Sequence, residues 1–126
     1  MSKQVIFSDK LTPPPAPLSP AVKYGDLVFV SGQPPYFGDR QVAVGDFDAQ
    51  MHQVMTNIIT LLEQAGSSLD KVIKTTVILT SADNFKRMNE LYRTYFKEGN
   101  YPARTTICCG MGNPDFLLEI ECVAHT

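Results

Sequence analysis

The chain has 126 residues, 44% hydrophobic and 19% charged, with a formal net charge of -2. That length allows one domain (1–126) with an ordinary core, and basic residues that are scattered rather than clustered give no electrostatic footprint for nucleic acid or an anionic membrane. Three cysteines, two of them adjacent at Cys108 and Cys109, fit neither a disulfide framework nor a CxxC site, and the N-terminal residues form no leader or span, so a cytoplasmic location is expected.

Gln4 to Phe7 is read as a short strand. The run from Thr12 to Pro20 holds five prolines, which remove donors and fix the backbone extended, so it predicts a stiff surface loop that can line a site. Ala21–Tyr24 and Leu27–Ser31 around Gly25-Asp26 predict a β-hairpin. Its second strand runs into Ser31-Gly32-Gln33-Pro34-Pro35, where the glycine permits close approach and the prolines end pairing.

From Asp46 to Gln64 the apolar residues Phe47, Met51, Val54, Met55, Ile58, Leu61, Leu62 and Ala65 recur at helical spacing, with Asp46 as N-cap and Gly66 as a left-handed stop. Lys71–Thr80 alternates as an interior strand with Ile73, Thr75, Val77 and Leu79 on one face. A second helix capped by Ser81 follows, with Phe85, Met88, Leu91 or Tyr92 in its stripe, and ends at Gly99-Asn100. Within it Asn89 lies one position from the stripe. Arg104–Cys109 and Leu117–Ala124 are the last two strands, separated by a loop of turn formers.

Arg104 is the residue that asks for an explanation. A guanidinium at the start of a half-buried strand ordinarily has an anionic partner. If the last two strands pair antiparallel through their loop, Arg104 shares a face with Glu119 and Glu121. That arrangement serves a structural ion pair, or a site in which the guanidinium grips a ligand carboxylate while a glutamate orients water. No Ser-His-Asp, Cys-His, phosphate-loop or HExxH pattern offers another chemistry.

In order along the chain, Gly25-Asp26-Leu27-Val28-Phe29-Val30-Ser31-Gly32-Gln33-Pro34, Ala65-Gly66-Ser67-Ser68, Val72-Ile73-Lys74-Thr75-Thr76-Val77, Asn89-Glu90-Leu91-Tyr92, Pro102-Ala103-Arg104-Thr105-Thr106 and Glu119-Ile120-Glu121 resemble the RidA/YjgF reactive intermediate/imine deaminase family. The resemblance implies an α+β, chorismate-mutase-like fold. This is a mixed, mostly antiparallel sheet with two helices on one face, assembled as a homotrimer with ligand sites between subunits. It implies cofactor-free, metal-free hydrolysis of enamines and imines of 2-amino acids to 2-oxo acid and ammonia. Arg104 matches the carboxylate-binding arginine, Glu119 the water-positioning glutamate, Asn89 the site asparagine and Ser31-Gly32 the backbone-contact pair. The family's usual Gly-Pro-Tyr-Ser-Gln is Ala16-Pro17-Leu18-Ser19-Pro20 here, so Leu18 replaces a cleft tyrosine. Thr106 stands where a cysteine is common, and both are assigned to the substrate pocket.

The partner implied is a small imino or 2-oxo acid such as the 2-aminoacrylate or 2-iminobutyrate type. A second reading is a larger enamine acid of the 2-aminomuconate type, with Leu18 making room and Arg40 supplying a second cation. A third is a non-catalytic trimer that binds small carboxylates or protects other proteins.

Overall fold

The computed structural model describes residues 2–126. Six strands form one mixed sheet: β1 (Gln4–Ile6), β2 (Ala21–Tyr24), β3 (Leu27–Gln33), β4 (Val72–Leu79), β5 (Ala103–Cys108) and β6 (Leu118–His125). Helices α1 (Phe47–Gln64) and α2 (Phe85–Tyr95) pack on one face. The sheet order is β1-β2-β3-β6-β4-β5, antiparallel throughout except for the parallel β4–β5 pair. A parallel neighbour requires a crossover, which α2 supplies.

The capping residues act as their side chains dictate. Asp46 Oδ1 accepts from the Ala49 amide at 3.0 Å and opens α1, and Gly66 follows it at φ 82. Ser81 accepts from Asp83 N and caps a single 3-10 turn, Ala82–Asn84, that leads into α2, so the second helix starts later than expected. Ile73 was expected to face inward with Thr75. It is instead exposed, because a register shift between Val72 and Lys74 against β6 lets Val72 take the inward position.

The antiparallel β5–β6 pairing expected from their connecting loop does not form. Strand β6 lies between β3 and β4, and β5 is an edge strand beside β4. Leu118, Ile120, Cys122 and Ala124 of β6 are all buried, whereas no residue of β5 is fully buried. The apolar strand takes the centre and the polar one the rim, since a central strand loses water on both flanks.

Two buried amides on α1 tie the loops to this frame. Gln50, fully buried, donates to the carbonyls of Ala43 and Asp115 and accepts from the Leu117 amide. Asn57 donates to the carbonyls of Pro34 and Tyr36. The sheet face away from the helices is uncovered and carries Val5, Tyr24, Leu27, Phe29 and Ile107, each exposed. Among the described residues, no helix is long and apolar enough to cross a membrane.

Candidate active site

Arg104 pairs in register with Thr75, whose side chain is buried under α2, so the guanidinium rises on the helix side of the sheet. Thr75 Oγ1 and Tyr92 Oη share a 2.8 Å hydrogen bond that fixes the tyrosine ring. The guanidinium carbon lies 5.0 Å from that ring's centroid and 5.9 Å from that of Phe85, with Nη1 3.9 Å from Met88 Sδ. Aromatic faces and a thioether hold a planar cation without neutralising it.

The acid neighbour expected for Arg104 is not there. Glu119 pairs with Ile78 and Glu121 with Thr76, both on the opposite face, with β4 standing between. Among the described residues the ion pairs are those of Arg87 with Asp48 and Glu90, so Arg104 keeps an uncompensated charge. It borders a cavity of about 290 Å3 lined by Asn89, Tyr92, Arg93, Tyr101 and Arg104. Asn89, Tyr92 and Arg93 meet there because residues three and four apart share one helix face. Thr106, two residues further along the same face of β5, has its Oγ1 shut off from solvent with no hydrogen-bond partner.

Glu119 belongs to a second cavity of about 290 Å3 that includes Leu18, Gly32, Gln33, Arg40 and Asn57 in its walls. The proline-rich loop forms one wall. Ser31 anchors it twice, donating through its amide to Pro20 O at 3.0 Å and through Oγ to Ser19 O at 2.7 Å. The strand-end serine therefore serves the loop. Thr12 Oγ1 donates to Gly38 O, and Arg40, in the left-handed region at φ 53, donates to Pro13 O at 2.9 Å. Arg40 lines this cavity while tying its two loops together.

Gly32 is required by contact rather than by backbone angle. A Cβ there would lie 2.7 Å from Glu119 Oε2 and 2.9 Å from its Cδ, so hydrogen is the largest group that leaves the carboxyl where it stands. Burial raises the pKa of Glu119 above its ordinary value, and the charge of Glu121 on the same strand face raises it further. The same two causes push the buried Cys122 thiol up to about 12, leaving it an inert core residue.

Within one chain the expected site residues thus fall into two groups. Arg104 and Asn89 share the cavity under α2; Leu18, Gly32 and Glu119 share the other, with Ser31 holding its wall. Arg93, Tyr101 and Asn57 were not singled out from sequence. The spacing of Arg93 from Asn89 was a usable signal for the first, and a polar residue inside the inward stripe of α1 for the third.

Residues 10–126 match the family model described as endoribonuclease L-PSP. A RutC family protein of Pyrococcus abyssi is 40% identical over 126 residues, covering 99% of this chain and 98% of that one. Among solved structures, YyfA of Yersinia pestis, described as a protein of unknown function of the conserved Rid protein family, superposes with a TM-score of 0.92 at 33% identity, covering 99% of this chain and 100% of its own. Escherichia coli TdcF, solved with bound serine, gives a TM-score of 0.88 at 27% identity over 98% of both chains. Likeness along the full length, in sequence and in overall fold alike, means that the chain belongs to the RidA/YjgF family.

Proposed function

We propose that the protein hydrolyses imines and enamines of small 2-amino acids to the 2-oxo acid and ammonia, in a homotrimer whose sites lie between subunits. The observation that carries this reading is the placement of Arg104, an unneutralised guanidinium beside an amide in a polar cavity, with Glu119 out of reach on the other sheet face. Each copy holds one half of a site. A second copy seated on the uncovered sheet face, with its exposed Phe29, Leu27 and Ile107, brings Glu119 of one subunit toward Arg104 of the next.

In that cleft the guanidinium binds the substrate carboxylate bidentately and Asn89 adds a hydrogen bond. The bound iminium carbon is already electrophilic. Glu119 orients a water and takes its proton as oxygen adds to carbon. The acid so formed returns that proton to the carbinolamine nitrogen, and as the C–N bond breaks and ammonia leaves, the oxygen electron pair forms C=O while Glu119 takes the hydroxyl proton, leaving the 2-oxo acid. Positioning and one carboxylate are sufficient for such a step. The serine held by the related TdcF structure supports a site for small amino-acid carboxylates. A net charge of -2 and short cavities without a basic stripe favour a small anion over an RNA backbone.

The test is ammonia and 2-oxo acid release from 2-iminopropionate and 2-iminobutyrate generated in situ, with wild type beside Arg104→Ala and Glu119→Gln. Each variant alone is expected to be inactive. Mixed after dissociation and reassembly, the two are expected to recover about a quarter of wild-type activity, because random assembly restores both intact halves at one site in four. Unchanged activity in Arg104→Ala would overturn the proposal.

A further inference from the structure

Arg104 is not the only guanidinium on its cavity. Arg93 lines the same space from α2, and the other lining residues are Asn89, Tyr92 and Tyr101, none of them an acid. Neither arginine has an ion-pair partner among the described residues. Two like charges brought to one cavity without a counter-charge repel each other, and that repulsion is relieved by an anion bound between them. Arg93 also stands in the last turn of α2, where any cation is favoured by the helix dipole. Positions 94 and 95 would serve the dipole as well. Only position 93 lies one turn from Asn89 on the face toward Arg104. Tyr101, just ahead of β5 and exposed, adds a hydroxyl donor at the rim.

We infer that Arg93 is a specificity-determining residue of the Arg104 cavity, which selects small 2-oxo and 2-imino acids bearing a second carboxylate over those with a neutral side chain. This rests on the reading of Arg104 as the binder of the 2-oxo acid carboxylate. Arg104 holds that shared carboxylate, while Arg93 and Tyr101 meet the distal one. Arg40, the other cation considered for a larger substrate, lines the Glu119 cavity and is engaged with Pro13 O.

Calorimetric titration of the intact protein with 2-oxoglutarate and with 2-oxopentanoate, equal in chain length and different in one charge, tests this without turnover. Wild type is expected to prefer 2-oxoglutarate on the order of tenfold, the worth of one added charge-assisted hydrogen bond. Arg93→Gln should abolish that preference by weakening 2-oxoglutarate far more than 2-oxopentanoate, and Arg93→Lys should keep part of it. Equal wild-type affinity for the two acids would overturn the inference, as would a preference that survives Arg93→Gln or is lost only in Arg40→Ala. Inorganic phosphate binding more tightly than 2-oxoglutarate would overturn the dicarboxylate assignment. Arg104→Ala is expected to lose both acids; if it binds both as wild type does, the carboxylate reading of Arg104 itself fails, and the inference with it.

Discussion

Arg104 and Glu119 stand on opposite faces of one sheet, with β4 between their strands. The two residues that the chemistry would need together are therefore kept apart by the fold of the single chain. Among the described residues Arg104 has no acid partner, and the Glu119 carboxyl, pressed against Gly32, has no cation partner. This relationship makes assembly part of the proposed mechanism, and it makes the surroundings of each residue separately testable.

Gly32→Ala is expected to damage function more than folding. The added methyl would displace the Glu119 carboxyl, which can swing away at small cost because it is the far end of a flexible side chain. Stability should change by no more than about 1 kcal/mol, whereas imine hydrolysis should fall on the order of a hundredfold as the carboxyl leaves its position. Thermal melting and steady-state rates on the same preparation decide this. A fully active alanine variant would show that the Glu119 position is not critical.

The carboxyl of Glu119 should titrate above the ordinary 4.5, because burial opposes its charge and Glu121 adds repulsion. A raised folded-state value means that the group's contribution to stability is fully present below 4.5 and is lost as pH rises through the folded value. Wild type should therefore lose stability relative to Glu119→Gln across that window. In Glu121→Gln the midpoint should move down, as should the acid limb of the rate profile. Carbon-13 carboxyl titration reads the midpoint directly, and a wild-type value at or below 4.5 would refute the assignment.

Gln50 is expected to behave as a structural keystone. Its side chain satisfies the carbonyls of Ala43 and Asp115 and the amide of Leu117 from a fully buried position. Gln50→Leu keeps the bulk and removes all three bonds, which should cost about 3 kcal/mol or more. Urea denaturation measures it, and a loss under about 1 kcal/mol would mean that the loops find other partners.

Much of this architecture is written locally in the chain. The stripe of α1, its Asp46 cap and Gly66 stop, the Gly25-Asp26 hairpin and the alternating burial of β6 all follow from spacing and side-chain type, because each depends on neighbours within a few residues. The singular position of Arg104 was legible for the same reason. Which strands lie side by side was not. The loop after β5 permits a hairpin as readily as a crossing over β4, and the choice is made by the sheet as a whole, which buries the apolar β6 at its centre and leaves β5 at the rim. That long-range competition decided that Arg104 and Glu119 face away from each other and that the Asn89–Arg93 face of α2 and Tyr101 meet the arginine, and tertiary packing chose the remote carbonyls that Gln50 and Asn57 hold from the inward stripe of α1.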